Sequence, residues 1–486
     1  MKDFRQFALS PLVPLCAAIG VIAGTAVIPN MQPFRDPTGY VATYNTGGNI
    51  DKSNPFFQSL GTNGRTCETC HQADQAFSMS AQKIQQRFVF SQGKDPLFAP
   101  IDGANCPNDQ QGNPASHSLL LTHGLIRIGL TMPVNPEFSL KVIHDPYGCA
   151  ISQDPKTGQL IVSVYRRPLP STNLDFLSTI MFDGRETIDP LNDEQTFEAN
   201  LTADLSHQAI DAVLTHAQAS QPPSQEQVAA IVKLELGFYT GQLLDNEAGA
   251  LYVDGAVGGP KFLSAQSYYP GINDSLGGDP HGNKFDPAAM TVYAAWQDSG
   301  DGNYGQGRAM IAAGEKIFNT TTAHITGVRG LNDNPALNYP KEIDGTCTTC
   351  HDTPNVGDHS LPLPLDIGTG HALSFENDPR IAGALTQLNL PDLPVYLITG
   401  CSDPQDPSRH LTFYTSDPGK GLISGRCSDV DRGKGPVLRG LAARAPYFHN
   451  GSAASLEELV NFYNDRFTMG MTAEQKKQLI AFLNSL

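Results

Sequence analysis

The stretch "GRTCETCHQ", residues 64–72, decides how this chain folds, and "GTCTTCHD", residues 345–352, repeats its spacing. In both, two cysteines stand three positions apart and a histidine directly follows the second. This C-x-x-C-H pattern attaches c-type haem, because two thiols on one turn reach the two vinyl groups of the porphyrin and the next imidazole reaches the iron. The sequence therefore predicts two covalently attached c-type haems. The thioether residues are Cys67, Cys70, Cys347 and Cys350, and the iron ligands are His71 and His351.

Two other uses of paired cysteines fit the sequence less well. A structural zinc site usually takes four ligands from two pairs that lie close together in sequence. Here the pairs are far apart and each has its own histidine. A thioredoxin-like C-x-x-C would need a βαβ setting and would give the histidine no role.

Length and charge limit the classes of function. The 486 residues are enough for two or three domains, each with its own core. A net charge of −17 argues against a nucleic-acid partner, because phosphate binding needs clustered lysine and arginine. The same charge permits docking of a small basic electron-donor protein, although it also serves to keep a protein in solution.

The N-terminal residues 1–28 have the composition of a targeting segment. Lys2 and Arg5 precede an apolar run that extends from Phe7 to Ile28. We predict a secretory signal, and the run is long enough that an uncleaved membrane anchor is the alternative. Export implies a periplasmic location, with membrane contact only through this segment.

Four cysteines lie outside both motifs and the targeting segment: Cys106, Cys149, Cys401 and Cys427. An exported protein can keep disulfides. Proximity in sequence favours Cys106–Cys149 and Cys401–Cys427, and buried free thiols are the alternative.

The secondary-structure pattern predicts a mainly α protein with two cytochrome-c-like haem domains, long loops and insertions. Helical periodicity is clear in residues 224–243 and 454–467, whereas strand signals are short, as in residues 159–166. We place an N-terminal haem domain with insertions at residues 29–300 and a C-terminal cytochrome c domain at 301–486. The boundary falls in the glycine-rich residues 298–305.

Residues 435–464, "GPVLRGLAARAPYFHNGSAASLEELVNFYN", and residues 176–186, "FLSTIMFDGRE", carry a family resemblance. They are similar to the bacterial di-haem cytochrome c peroxidases, a family that includes the methylamine-utilisation enzyme MauG. The resemblance covers residues 50–486, but it does not explain long insertions around 90–170 and 240–300.

The resemblance implies that the first haem is the reaction centre. The family places a glutamine and, ten residues later, a glutamate on the distal side of that haem. Gln208 matches the glutamine, but Gln218 stands where the glutamate would be. We therefore expect His216 to be the acid–base group, with an ordinary surface histidine as the alternative. Arg185, in "DGRE", is a candidate partner for a haem propionate or else a surface ion pair.

The resemblance also implies a distal ligand for the second haem at Tyr463. Ser455 and Glu458 form a capping box that predicts a helix, and Tyr463 shares the apolar face of that helix. The family has methionine here in the peroxidases and tyrosine in MauG. Met469 and Met471 are rival ligands, and plain core packing of Tyr463 is the alternative.

Two residues depart from the family pattern. Phe182 replaces the tryptophan that the family places between the haems, and phenylalanine is hard to oxidise. The family peroxidases also have a blocking histidine soon after the first motif, but the next histidine after His71 is His117. We expect that switch to be absent or rebuilt here.

Together these observations predict an exported di-haem oxidoreductase. The expected reaction is reduction of hydrogen peroxide at the first haem, with electrons from a small cytochrome or cupredoxin entering through the second. One alternative is MauG-like oxidation of a protein or organic substrate, and another is a non-enzymatic di-haem electron carrier. The resemblance further implies a Ca²⁺ ion between the two domains.

Overall fold

A computed structural model describes residues 26–187, 193–300 and 302–486. Helices hold 31% of the residues and strands 16%, and the strands form several sheets. The fold is therefore mixed α/β, and the prediction of a mainly α protein was wrong. The periodicity argument failed because it gave too little weight to short strands, and the insertion around 90–170 alone contributes four of them, β5 to β8.

The helices and strands have the following bounds. The helices are α1 (Ala81–Ser91), α2 (Pro100–Gly103), α3 (Ser118–His123), α4 (Phe197–Thr215), α5 (Gln225–Leu236), α6 (Pro260–Leu263), α7 (Gly305–Thr320), α8 (Pro379–Leu385), α9 (Gly421–Ser424), α10 (Leu456–Arg466) and α11 (Ala473–Asn484). The strands are β1 (Val27–Ile28), β2 (Phe34–Arg35), β3 (Gly39–Asn45), β4 (Ile50–Asp51), β5 (Ile126–Thr131), β6 (Ser139–His144), β7 (Ile151–Gln153), β8 (Leu160–Arg166), β9 (Phe238–Asp245), β10 (Gly249–Ala250), β11 (Ala323–Ile325), β12 (Ile343–Gly345), β13 (Val395–Ser402) and β14 (His410–Thr415).

The ends of α5 show where the sequence prediction held and where it failed. The Ser224 hydroxyl accepts a hydrogen bond from the Gln227 amide, so the helix begins at a capping box. The predicted helix over 224–243 nevertheless ends at Leu236. Beyond Gly237 the residues of β9 are rich in aromatic and β-branched side chains, which favour a strand that pairs with β3. The helix predicted over 454–467 and the strand predicted over 159–166 are confirmed as α10 and β8.

The largest sheet has the strand order β10-β9-β3-β2, and a second sheet has the order β5-β8-β7. A third sheet, β14-β13-β6, joins distant parts of the chain. Its β6 belongs to the insertion that follows the first motif, and it pairs antiparallel with β13 between Val395↔His144 and Thr399↔Ser139. This pairing crosses the boundary predicted at 298–305. Two-stranded pairs β1-β4 and β11-β12 complete the described sheets.

Each C-x-x-C-H motif packs against its own apolar cluster. Cys67 lies beside a cluster of aromatic rings that includes Phe56, Phe77 and Phe238. Burying one such ring stabilises the fold by about 1.5–3 kcal/mol. Cys347 packs against the cluster that α7 forms with α11. Both motifs are thus supported on one side by a hydrophobic core.

Two disulfides connect Cys106 to Cys149 and Cys401 to Cys427. The predicted pairing is confirmed, and the alternative of buried free thiols was wrong. The bridges close sequence separations of 43 and 26 residues. Bridges of this kind typically contribute about 2–4 kcal/mol each.

The predicted targeting segment, residues 1–28, lies outside the described residues except for its last three. Within the described residues, we find no helix that combines the length and the apolar character needed to cross a bilayer.

Candidate haem sites

The two motifs fold into the same local shape. Each C-x-x-C forms a 3₁₀ turn, Cys67–Thr69 in the first and Cys347–Thr349 in the second. In both turns a backbone amide just before the first cysteine is held by a threonine hydroxyl. Thr66 N donates to Thr69 Oγ1 at 3.0 Å, and Thr346 N donates to Thr349 Oγ1 at 2.9 Å. The sequence T-C-x-T-C-H therefore encodes a pre-shaped turn twice.

The motif histidines are oriented in the same way. His71 Nδ1 donates to the Phe77 carbonyl at 3.0 Å, and His351 Nδ1 donates to the Gly357 carbonyl at 2.6 Å. Burial lowers the pKa of both imidazoles, so each is neutral. A neutral imidazole that donates from Nδ1 keeps a lone pair on Nε2, and this is the form that ligates iron.

The four motif cysteines are free thiols. Burial raises the pKa of the Cys70 thiol to about 11 and the pKa values of Cys347 and Cys350 to about 12, and it also raises the pKa of Cys67. Among the described residues, no group of three close metal-ligating side chains includes a cysteine. Neutral, paired thiols beside a neutral imidazole fit thioether attachment of haem, whereas a zinc site would need four converging ligands.

The first motif opens onto a cavity with ≈ 1370 Å³ of empty space, measured out to its open mouth. We call this space the first-motif cavity. Its lining is mainly apolar, with Ile126, Leu174 and Ile180 among its walls. It also brings together all the residues predicted for the first site: Cys67, Cys70, His71, Arg185, Gln208 and His216.

Helix α4 supplies the predicted distal residues. Five of its positions and its C-cap, His216, face the cavity at helical spacing: 205, 208, 209, 212, 213 and 216. Gln208 and His216 are therefore about two turns apart on one face. Gln218 does not line the cavity. It follows the helix end with φ at 55°, and its side-chain oxygen accepts a hydrogen bond from Asn63 at 3.3 Å.

His216 is held by a buried carboxylate. Its Nδ1 lies 2.5 Å from Asp102 Oδ2, and the other oxygen of Asp102 accepts from Arg65. Burial acts to raise the pKa of Asp102, but Arg65 and His216 outweigh burial and the pKa lies below its ordinary value. Because Asp102 is ionised, His216 Nδ1 must donate to it. In the neutral form of the imidazole the lone pair then lies on Nε2, which leaves this atom able to accept a proton.

Several arginines line the same cavity, but not all of them are available to pair with a haem propionate. Arg185 is paired with Asp183 at 2.5 Å, and Asp183 also accepts from Arg166. Arg167, in contrast, donates only to backbone carbonyls among the described residues, at His123, Met79 and Arg444. Burial lowers the pKa of Arg167 to about 9. A buried guanidinium without a carboxylate fits a propionate better than Arg185 does.

Glu235 is a further acidic group on the cavity wall. It lies on α5 and is 5% exposed, and its Oε2 has no hydrogen-bond partner among the described residues. Burial raises the pKa of Glu235 to about 8. The carboxyl group therefore carries a proton at neutral pH, close to Cys67.

Tyr463 lies beside the second motif. Its ring contacts Phe448, Phe462 and Phe467, with centroids 5.6–6.0 Å away. Burial raises the pKa of its phenol, and Cys350 and Cys347 add to the increase, which places both thiols near the hydroxyl. The Tyr463 hydroxyl forms no hydrogen bond to any of the described residues. The rival Met469 packs in the cluster that holds Cys350 and Tyr463, whereas Met471 is buried in the cluster of α7 and α11.

Sequence reasoning missed Asp102, Arg167 and Glu235. Asp102 lies in an insertion and nothing in its neighbourhood marks it. Glu235 did carry a signal, because it continues the buried stripe of Val228 and Val232 on α5 and an acid on such a stripe is unusual.

A family model described as RoxA-like, cytochrome c-like matches residues 434–469, which include α10 and Tyr463. The chain is similar to cytochrome c peroxidases. It is 29% identical over 149 residues to "Cytochrome-c peroxidase IdrP2" of Denitromonas iodatirespirans, a match of 29% of this chain and 36% of the relative. It is 26% identical over 159 residues to "Cytochrome-c peroxidase IdrP1" of Pseudomonas sp. (strain SCT), with the same shares.

The chain thus spans about a third of the length of these curated relatives. The matches support a cytochrome c peroxidase-like family and a haem c oxidoreductase.

Proposed function

We propose that the protein is an exported di-haem c-type oxidoreductase that reduces hydrogen peroxide at the first motif, with electrons entering through the second. In this proposal residues 29–300 hold the first haem and residues 301–486 the second. The observation that carries it is the His216–Asp102 pair, because a buried carboxylate aligns an imidazole in the same cavity as His71.

Cys67 and Cys70 would hold the first haem through thioethers, and His71 would bind its iron through Nε2. When bound, a c-type haem supplies the iron that exchanges electrons with peroxide. Arg167 and then Arg185 are the proposed partners of its propionates. Tyr463, with Met469 as its rival, is the proposed sixth ligand at His351.

The chain's own contribution to the reaction is proton transfer and exclusion of water. His216 Nε2 would accept a proton from the oxygen of peroxide that approaches the cavity and return it to the oxygen that leaves. Asp102 stabilises the imidazolium in between, because its carboxylate accepts from Nδ1 in both forms. The Gln208 amide, two turns earlier on the same helix face, would orient the peroxide by hydrogen bonding. The apolar walls of the cavity limit the water that competes for these groups.

The electron donor would be a small cytochrome or cupredoxin with a basic docking face, because the chain carries a net charge of −17. Export to the periplasm is proposed from residues 1–28, as a cleaved signal or an anchor.

A rapid-mixing experiment tests the proposal. The holoprotein, produced in a host that matures c-type cytochromes, is mixed with hydrogen peroxide with and without a reduced donor. We expect a high-spin ferric signal at rest, a fast spectral change with peroxide, and turnover of the donor. Two low-spin haems that ignore peroxide would overturn the proposal and identify an electron carrier.

A second candidate is MauG-like oxidation of a protein or organic substrate. The position of Tyr463 favours it, because the phenol lies beside the second-motif thiols and has no hydrogen bond to any residue in the described part of the chain. A tyrosinate ligand favours high oxidation states over a readily reduced haem. The same rapid-mixing experiment separates the candidates. Peroxide consumption that needs no reduced donor protein, and in which an added organic or protein substrate supplies the two electrons and is itself oxidised, would support this alternative.

A further inference from the structure

Three buried metal-ligating side chains converge behind the second motif, where the function proposed above assigns no role. Asp274 lies in the insertion around 240–300, and Asp352 and His359 follow the second motif. His359 Nε2 lies 3.3 Å from Asp352 Oδ2 and 3.8 Å from Asp274 Oδ1. The side chains are 4% exposed for His359, 2% for Asp274 and fully buried for Asp352. We call this group the buried triad.

Two of the three converging atoms have no hydrogen-bond partner within the described part of the chain. These atoms are His359 Nε2 and Asp274 Oδ1. The atoms on the far sides are anchored by the backbone. Asp274 Oδ2 accepts from Gly278 N, and Asp352 Oδ1 accepts from Ser360 N at 2.8 Å. Backbone amides therefore hold the outer carboxylate oxygens of the triad, and its unpartnered atoms face one another.

Charge makes this arrangement costly without a cation. Two carboxylates point at one imidazole, and within the described residues no lysine or arginine forms an ion pair with Asp274 or Asp352. A second buried group, Asp366, His371 and Asp431, shows the alternative solution. There His371 bonds to Asp366 and Glu376 through its two nitrogens, so a protonated imidazole satisfies the acids. In the buried triad, Nε2 of His359 forms no hydrogen bond within the described residues, so His359 does not satisfy the two carboxylates in this way.

We propose that the buried triad binds one divalent transition-metal ion of the Zn²⁺ or Mn²⁺ kind through His359 Nε2, Asp274 Oδ1 and Asp352 Oδ2. Ligand atoms about 2.0–2.2 Å from such an ion lie about 3.3 Å apart in a tetrahedron, so small side-chain movements complete the site. One imidazole with two carboxylates suits zinc or manganese, whereas Ca²⁺ prefers six to eight oxygen ligands. The ion would join residues from both sides of the 298–305 connection.

Metal analysis of the holoprotein tests the site independently of the peroxidase proposal. The protein is dialysed against a weak chelator, and its zinc, manganese and calcium contents are measured beside its haem content. The variants are D274N and H359Q. The matched control is H324Q, which alters the exposed group of His324, Glu342 and Asp344. X-ray absorption at the metal edge then counts imidazole ligands in the wild-type protein.

We expect about one equivalent of zinc or manganese per chain, one imidazole in its ligand shell, and a loss of at least tenfold in D274N and H359Q but not in H324Q. Any of three outcomes would overturn the proposal. Both triad variants could retain their metal, or calcium could be the sole metal. The third outcome is a wild-type content below about a tenth of an equivalent that added Zn²⁺ or Mn²⁺ does not raise. If the variants lose their haem, the X-ray absorption spectrum of the wild-type protein at the metal edge tests the site instead. A shell with one imidazole supports the site, and a shell with none refutes it.

Discussion

The rings of Phe182 and His449 stack face to face, with centroids 4.5 Å apart and planes inclined by 16°. The guanidinium of Arg166 lies 4.9 Å from the Phe182 centroid. Burial lowers the pKa of His449 to about 4, so its imidazole is neutral in this stack. The family resemblance implies that Phe182 stands at the position of the inter-haem tryptophan, and a cation beside the ring makes its oxidation harder still.

We expect Phe182→Leu to change the rate of electron transfer between the haems by no more than about threefold. A rate change of that size corresponds to less than about 1 kcal/mol in the activation free energy. The reason is that phenylalanine cannot serve as a stepping stone for an electron hole. Rapid mixing that follows the two haem bands separately measures the rate. Phe176→Leu is the matched control, because Phe176 is a buried ring outside the first-motif cavity. A drop of a hundredfold confined to Phe182→Leu would show that the ring is part of the path.

Replacing His216 by glutamine should slow the reaction with peroxide by about 10²–10⁴-fold, the range that one positioned acid–base group contributes. The variant removes the proton acceptor at Nε2 but keeps a hydrogen-bonding side chain. The rate constant of the first spectral change after mixing with peroxide is the measurement. His207→Gln is the control, because His207 lies on the same helix and is largely exposed outside the cavity. Equal rates in the two variants would remove His216 from the scheme.

Tyr463→Phe should change the absorption and electron paramagnetic resonance spectra of one haem and leave the other unchanged. Its effect on the free energy of unfolding should be under about 1 kcal/mol, because the hydroxyl has no hydrogen bond to lose among the residues that the structure describes. Tyr414→Phe, which alters a tyrosine stacked on Phe375, serves as the control. Identical spectra of wild type and Tyr463→Phe would assign the sixth position to another residue, and Met469→Leu would be the next variant.

Glu235 should make the holoprotein less stable as pH rises. Its folded pKa of about 8 exceeds the ordinary value of 4.5, so between these values the native state holds a proton that the unfolded state has lost. Stability therefore falls through this window, by at most about 1.4 kcal/mol per pH unit for one proton. Glu235→Gln removes this contribution.

Urea unfolding at pH 5.5, 6.5 and 7.5 measures the slope. The advantage of Glu235→Gln over wild type should grow across the three values. Glu226→Gln, at an exposed position on the same helix, should show no such growth, because the pKa of Glu226 is lowered rather than raised. A constant difference between Glu235→Gln and wild type would mean that Glu235 is ionised throughout.

The parts of the fold that sequence could predict are those with local rules. The two motifs, the helix start at Ser455 and the disulfide pairs all depend on residues close in sequence, and the structure has each of them. The capping box predicted there is only half formed, because the Ser455 hydroxyl accepts from Glu458 N while the Glu458 carboxylate accepts from Ala454 N. The sheets depend on pairing between distant segments, for which single strands such as β6 give only weak signals. This is why the fold class was predicted wrongly.

The contrast between local and long-range contacts also explains which residues of the candidate site the sequence could predict. Gln208 and His216 share one helix, so their common face follows from periodicity. Asp102 reaches His216 from an insertion more than a hundred residues earlier, and only tertiary packing brings them together. Arg167 likewise has no sequence signal, since only the folded structure shows that its guanidinium bonds to backbone carbonyls and to no carboxylate of the described residues.

The pairing of β6 with β13 ties the insertion of the first half to the core of the second. Because β13 has a neighbour on each side, cleavage of the chain at the glycine-rich residues 298–305 would nick the polypeptide without releasing either fragment. A fragment made alone would present one bare strand edge, the kind of surface that recruits foreign strands and precipitates. The two halves of the chain are therefore best handled as one inseparable piece.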